Sequence, residues 1–447
     1  MDRKPLYKIA AICIMTFLLL VPLALIKDQI RERSHRQNEV QESIANSAAG
    51  EQTLIAPVIV VRYREQVEAT LPREDGSGRS ETRQQIVERT LTLPPEKLVM
   101  EGEGAVETRH RGIYQARLFR LGLSTAGRFV VAPLAGLGSG GRILDAKASL
   151  VVGISDTRGV NNDPEITING KLHRFASPTG RIQEGREQGM RQLSIALGAL
   201  DLHNESRFDF AFPLQLTGTS RLAIAPTGES NRIALKSAWP HPNFGGRFLP
   251  TARTVTKDGF AANWEISHLA RNFDATLNPH SGEVLRIDFV DPVNVYLQSE
   301  RAVKYGVLFI ALTFAGFFLT EILRRSPIHP MQYLLVGLAL AIFFLLLVAF
   351  SEHLPFYAAY GLSAVACIGL IASYLSGALG GLRQGLAFGG GLTGLYGVLY
   401  GVLLSEDNAL LMGSVLLFLA LGATMLATRR LDWYRLGTQG NGEQVRP

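Results

Sequence analysis

The sequence predicts a membrane protein of mixed class: six transmembrane α-helices, one N-terminal and five C-terminal, with a large β-rich, sandwich-like segment between the first helix and the second. Three observations carry that prediction. Six stretches of about 20 residues are almost free of charge, the length a helix needs to cross a bilayer. The charged residues, 45 Lys+Arg and 39 Asp+Glu, fall almost entirely outside those stretches. Between the first and second of them, residues 27–304 alternate short apolar, β-branched runs with turn signals.

The first apolar run is Ile9 to Ile26, behind the basic residues Arg3, Lys4 and Lys8. It is long enough to span and long for the core of a signal peptide. The chain leaves it through Leu25-Ile26-Lys27-Asp28-Gln29, with no small-x-small cleavage site. Ile12 precedes Cys13 where a lipoprotein site needs a small residue. The run therefore reads as an uncleaved anchor, and Pro22 near its outer end is tolerable in a membrane helix. Lys27 to Ala49 is polar and helix-like and continues out of it, with Glu32 and Arg36 as an i,i+4 pair of the favourable order.

Beyond Gly50 the pattern turns to strands. Leu54–Val61 is apolar and β-branched. Glu74-Asp75-Gly76-Ser77-Gly78 reads as a turn, and Gln85–Leu93 as the returning partner. Further strands are expected at Ile113–Leu123, Ala148–Ile154, Glu165–Ile168, Phe208–Leu216, Arg221–Ala225, Arg232–Ser237, Phe260–Ile266 and Leu285–Val290. Phe208-Asp209-Phe210-Ala211-Phe212 alternates as a half-buried strand does. Turns recurring every ten or so residues favour an antiparallel sandwich or barrel over a βαβ fold. Gly136 to Gly141 is a candidate seam between two lobes.

Five apolar runs follow, at Tyr305–Leu323, Tyr333–Phe350, Phe356–Leu375, Leu386–Leu404 and Ala409–Ala427. Their connections give the orientation. With the N-terminus in the cytoplasm, Arg324-Arg325, Arg383 and Arg429-Arg430 with Arg435 fall on the cytoplasmic side. The other short loops, Ser351–Pro355 and Ser405–Asn408, hold acids and no Lys or Arg. The expected domains are thus 1–26 (cytoplasmic tip and first span), 27–304 (outside, in a bacterial periplasm), 305–428 (five-helix bundle) and 429–447 (cytoplasmic tail), with both termini cytoplasmic.

Charge and cysteine narrow the function. The net charge is +6, but residues 27–304 carry 35 basic against 32 acidic residues. The basic excess sits beside the spans, which argues against nucleic acid and for the bilayer as the basic groups' partner. The two cysteines, Cys13 and Cys367, both lie in apolar runs, so no disulfide forms within 27–304. The sequence has no phosphate-binding G-x-x-x-x-G-K-[ST] loop, no H-E-x-x-H and no G-x-S-x-G. No catalytic residue, cofactor or metal site is expected.

The densest local feature is Trp239-Pro240-His241-Pro242-Asn243-Phe244-Gly245-Gly246-Arg247-Phe248-Leu249-Pro250. Two prolines fix extended backbone around a histidine. It is a rigid docking loop, through Trp239, His241, Phe244 and Phe248, or a metal site at His241, for which no second His or carboxylate stands at ligand spacing, or a buried corner where strands turn. Ser155-Asp156-Thr157-Arg158-Gly159 reads as a structural turn, with anion binding by Arg158 as the sharper alternative. Glu321 is the one acid inside a span, near its cytoplasmic end, where it can snorkel. Gly381, Gly385 and Gly389, then Gly390 and Gly394, then Gly397 and Gly401, stand four apart. Such spacing makes a face for close helix contact, within the bundle or between copies.

The chain resembles the CreD family of bacterial inner-membrane proteins. The resemblance rests on Leu235–Phe244 continuing to Gly246–Pro250, on Gly259-Phe260-Ala261-Ala262-Asn263-Trp264, on His329–Leu338, on Ser351-Glu352-His353 and on Asp432-Trp433-Tyr434, in order along nearly the whole chain. It implies expression tied to a two-component regulatory system, and a part in envelope phenotypes such as tolerance to some colicins and responses to β-lactams. It supplies no catalytic residues. The expectation is a non-enzymatic protein of envelope integrity or envelope stress response. Two alternatives are a transporter or lipid-handling protein, favoured by Tyr396 and Tyr400 at i,i+4, and a membrane regulator of a two-component sensor.

Overall fold

A computed structural model of the protein describes residues 4–72, 80–134, 141–176, 190–201, 203–278, 281–289, 294–324, 328–378, 381–404 and 409–429. The turn expected at 74–78, most of the seam at 136–141, the loop 405–408 and the tail from 430 onward lie outside them. The chain divides into two compact units, residues 1–38 with 293–447, and residues 39–292. These boundaries fall inside the expected segment 27–304, because the helices at both of its ends belong to the helical unit.

In the β-rich unit, one sheet contains β1 (Gln52–Pro72), β2 (Ser80–Leu93), β5 (Arg142–Ile154), β8 (Arg191–Ala199), β10 (Arg221–Ala225), β12 (Pro242–Gly246) and β15 (Leu285–Phe289). Its order is β12-β15-β10-β1-β5-β8, with β2 beside the distal half of β1. The second contains β3 (Lys97–Arg111), β4 (Tyr114–Val131), β6 (Glu165–Ile168), β7 (Lys171–Arg174), β9 (Ser206–Thr219), β11 (Ser230–Ser237), β13 (Ala252–Thr256) and β14 (Gly259–Ser267). Its order is β13-β14-β11-β3-β4-β9-β6-β7. Pairing is mostly antiparallel, but β1 pairs with β10 and β11 with β3 in parallel. Inward residues of both sheets, among them Ile59, Leu150 and Leu222 from one and Phe119, Leu214, Ile233 and Trp264 from the other, form one continuous apolar core. That is the layering of a sandwich.

Local chemistry sets these strands. β9 buries Phe210, Phe212, Leu214 and Leu216 and exposes Asp209, Ala211, Pro213 and Gln215, a strict period of two. β1 begins in the same way with Leu54 and Ala56 but continues with Ile59 and Val61. A register shift against β5 between Ile55 and Val58 accounts for the change of parity. Pro57, which cannot donate to the ladder, sits in the bulge. Five strands that the pattern does not announce are present: β3, β7, β8, β12 and β13.

In the helical unit, α1 (Lys4–Leu18) and α2 (Leu20–Ser47) meet at Leu19. Pro22 has no N–H for the Leu18 carbonyl, which is where a helix breaks or kinks. Leu19, Leu23, Ile26 and Ile30 recur at helical spacing and are buried. The expected Glu32–Arg36 pair forms at 2.6 Å. A helical turn, α3 (Phe273–Thr276), belongs to the β-rich unit. The bundle helices are α4 (Val295–Lys304), α5 (Gly306–Arg324), α6 (Pro330–Ser351), α7 (Phe356–Ala378), α8 (Leu382–Leu404) and α9 (Ala409–Thr428).

Four helical stretches are long and apolar enough to cross a bilayer: Ala10–Ser47, Pro330–Ser351, Phe356–Ala378 and Leu382–Leu404. α4 and α5 make a fifth if taken as one broken span, bent by 42°. The apolar stretch of α9, Gly413–Leu426, is shorter. Among the described residues, the six spans expected are therefore met by four helices, or five with the bent pair.

Candidate functional site

The loop 239–250 is built inward. Pro242 to Gly246 is β12, paired with β15. Phe244, half-buried on it, meets Phe260 and Trp264 of β14 edge-on, with ring centroids 5.5 and 5.9 Å apart. Arg253 lies over its ring at 5.8 Å. Phe248 is buried, and its carbonyl accepts the indole N–H of the fully buried Trp264 at 3.1 Å. Trp239 is half-buried against the core, donates its indole N–H to the His241 carbonyl at 3.0 Å, and carries the Arg117 guanidinium 4.9 Å from its ring. Gly246 takes φ +81°, and a Cβ there would strike the Val284 carbonyl. Of the four docking residues, His241 alone is exposed. Phe244 on β12 and Phe248 just beyond it meet β14 of the other sheet, while Trp239 packs against the core beneath Arg117 of β4. Trp264 is thus the anchor of the corner, its indole N–H held by the backbone carbonyl at 248.

The turn at 155–159 is also a joint. Asp156 Oδ1 accepts the Arg158 N–H and Oδ2 the Gly50 N–H, both at 3.1 Å. The Arg158 guanidinium bonds Asp156 at 2.6 Å and the Asn46 carbonyl at 2.6 Å. Those bonds hold the Asp156 carboxyl down to about 2, the Arg158 hydrogen bond being the largest cause. The buried Gln52 amide donates to the carbonyls of Asp156 and Thr217. Arg158 thereby ties the end of α2 to the turn, and Gln52 of β1 ties the turn to β9.

The helix-packing glycines divide. A Cβ on Gly385 would strike the Ala372 carbonyl and approach Ser376 Cβ to 2.9 Å, and one on Gly389 would lie 3.2 Å from Ala372 Cβ. These two seat α8 on α7. A Cβ on Gly390, Gly394 or Gly397 would meet nothing within 4 Å among the described residues, and one on Gly381 only the side chain of Gln384. Gly401 is half-buried.

The bundle interior holds polar groups that charge counting could not reveal. Tyr360 donates to the Tyr396 carbonyl at 2.7 Å, Tyr396 to Cys367 Sγ at 3.1 Å, and Cys367 to the Ala339 carbonyl at 3.4 Å. This chain crosses α6, α7 and α8 inside a box of Phe309, Phe343 and Tyr360 around Tyr396. Tyr333 donates to Glu321 at 3.2 Å, so that acid has a partner on α6. The His329-Pro330-Met331-Gln332 segment caps α6. His329 Nδ1 accepts the Met331 N–H, Gln332 Oε1 accepts the His329 N–H, and Pro330 occupies the first turn. Among the described residues no group of three or more His, Cys, Asp or Glu could hold a metal ion.

The likeness to solved structures is faint. An M1 zinc metallopeptidase from Deinococcus radiodurans aligns over 44% of this chain and 42% of its own, at 7% identity and a TM-score of 0.20, too little to carry an argument. Comparison by sequence is of another order. The family model described as "Inner membrane protein CreD" matches residues 4–434. The Inner membrane protein CreD of Escherichia coli (strain K12) is 35% identical over 443 residues, 97% of this chain and 95% of that one. The matched span takes in both units, from the N-terminal apolar helix through the sheets to the last helix, and on that ground the chain belongs to the CreD family of inner-membrane proteins.

Proposed function

We propose that the chain crosses the inner membrane six times with both termini in the cytoplasm. Its β-rich segment then stands in the periplasm and supports cell-envelope integrity through non-catalytic contacts with an envelope partner. The observation that carries this reading is the charge of the connections: Arg324-Arg325, Arg383 and Arg429-Arg430 alternate with the acidic Ser351–Pro355 and Ser405–Asn408. The shared core of the two sheets supports it further, since a domain closed around apolar side chains presents its chemistry on its surface. Complementation of a deletion strain tests the reading, with dye uptake and detergent sensitivity as readouts. Rescue by residues 1–304 alone is the expected result. Rescue by the full chain only would move the activity into the bundle. His241→Cys in a chain lacking Cys13 and Cys367 tests the orientation: a membrane-impermeant maleimide should label it in cells whose outer membrane has been permeabilised, and absence of labelling would overturn the topology.

A second reading, lipid handling, has one observation in its favour. A narrow apolar recess, open to its surroundings, is lined by Tyr305, Leu308, Phe309, Leu312, Leu399, Val402 and Gly413. Lipid transfer by reconstituted protein above empty vesicles would establish it.

A further inference from the structure

α6 ends at Ser351, and Glu352 is its C-cap residue. A carboxylate there faces the negative end of a helix, where a cation is favoured, so the chemistry of α6 does not explain it. Two other helices do. Arg33 Nε of α2 lies 3.6 Å from Glu352 Oε1, and the Tyr296 hydroxyl of α4 donates to the same oxygen at 3.2 Å. One turn away, Arg31 of α2 and Glu300 of α4 stand 3.5 Å apart. The Glu352 side chain is only 11% exposed, so water screens these contacts less than it does the outer pair.

α2 and α4 are the helices on which the chain leaves the bundle and re-enters it. α4 does not simply prolong α5. The two meet at Tyr305 with a bend of 42°, and a Cβ on Gly306 just beyond would lie 3.1 Å from Leu23 and from Phe344. In this position α4 buries polar atoms without satisfying them. Ser299 is 1% exposed, and among the described residues its Oγ has no hydrogen-bond partner and neither has Gln298 Oε1. A buried hydroxyl and a buried amide oxygen left unmatched are costly. Something must hold α4 where it is, and the charged contacts that converge on Glu352 are placed to do so.

We propose that α4 is a hinged arm with two positions, and that Glu352 is the latch that holds the bent one by gripping Arg33 and Tyr296. In the other position α4 swings about Tyr305–Gly306 and frees Ser299 and Gln298 to find partners. The latch is a handful of partly screened contacts, weak enough to open, which is what a two-state element requires.

The test is hydrogen–deuterium exchange of the full-length protein in nanodiscs, read over residues 295–304. Glu352→Gln keeps the shape and removes the charge. It should speed exchange of the α4 amides about three- to tenfold while leaving α7 amides unchanged. Arg33→Glu should do the same, and the exchanged pair Arg33→Glu/Glu352→Arg should return α4 to within about twofold of the parent. Spin labels at Leu297 and Tyr357, both exposed, should show a second distance population in the Glu352→Gln protein. Unchanged α4 exchange in Glu352→Gln with a single distance would overturn the proposal. So would exchange rising equally throughout α6 and α7, which would make Glu352 a general brace.

Discussion

The two units use glycine in opposite ways. In the sheets it makes room. A Cβ on Gly102 would lie 2.6 Å from Leu235, one on Gly127 2.7 Å from the Phe210 ring, and one on Gly218 2.5 Å from Phe119. Each stands where a large core side chain from a neighbouring strand has taken the space. In the bundle, Gly390, Gly394, Gly397 and Gly413 face nothing within 4 Å among the described residues. Gly385 and Gly389 there resemble the sheet glycines. Water expels apolar surface and drives a sheet core to close around its largest rings. Lipid supplies no such drive between helices, so close contact is made only where a specific pair of small faces meets.

Substitutions can break that comparison. The largest effect is expected from Gly127→Ala, whose new methyl would strike both the Lys97 carbonyl and the Phe210 ring. The loss should be about 3 kcal/mol in urea unfolding followed by tryptophan fluorescence. Gly385→Ala should cost about 2 kcal/mol in thermal unfolding of the purified protein in mild detergent, because the backbone of Ala372 blocks it. Gly394→Ala in the same assay should stay within about 0.5 kcal/mol of the parent. A loss at Gly394 equal to that at Gly385 would show that another surface covers the open face and would erase the contrast.

Smaller effects sharpen the picture within the β-rich unit. Asp156→Asn should cost about 1–2 kcal/mol at pH 7, a figure reduced from the full shift because the carboxylate is partly exposed. The folded carboxyl titrates at about 2, below the unfolded value of about 3.9. Its stabilisation is therefore complete above that unfolded value and disappears as the pH falls toward 2. The gap between parent and variant should close over the same interval, and a gap independent of pH would show that packing rather than charge is at stake. Gly104→Ala should gain about 0.5 kcal/mol. Its nearest neighbours would stand 3.5 Å away, and the added methyl would partly fill a small apolar void between Phe119, Leu121, Leu235 and Phe260.

What the sequence announced, and what it withheld, follow from the same physics. β9 and β14 were legible because each turns one clean face to the core. β3 was not, because Glu101-Gly102-Glu103-Gly104 interrupts any apolar alternation with charge and glycine, yet Gly102 is the hollow into which Leu235 fits. β13 is exposed at all five positions and leaves no alternation to read. β12 lies inside a proline- and glycine-rich loop and is a strand only because β15 is there to pair with it. At the candidate sites, the sequence located the 239–250 loop but could not orient its rings, since orientation depends on Phe260 and Trp264 some twenty residues further on. Charge counting found Glu321 and passed over Tyr360, Cys367 and Tyr396, whose hydrogen bonds run between helices and have no signature in spacing.

The parallel pairing of β1 with β10 has a consequence for how the protein is made. Gln52 of β1 lies beside Leu222 of β10, and Glu51 pairs with Arg221, 170 residues along the chain. At ribosomal speeds of about 5–20 residues per second, the first strand is complete roughly 10–30 s before that neighbour exists. β2 and β5 can zip onto β1 in the meantime, but its Gln52–Ile55 edge stays open until β10 arrives. β15, which flanks β10 on its other side, is later still. The nascent domain therefore spends most of its synthesis as an unfinished sheet, and closure of the core falls to its last hundred residues.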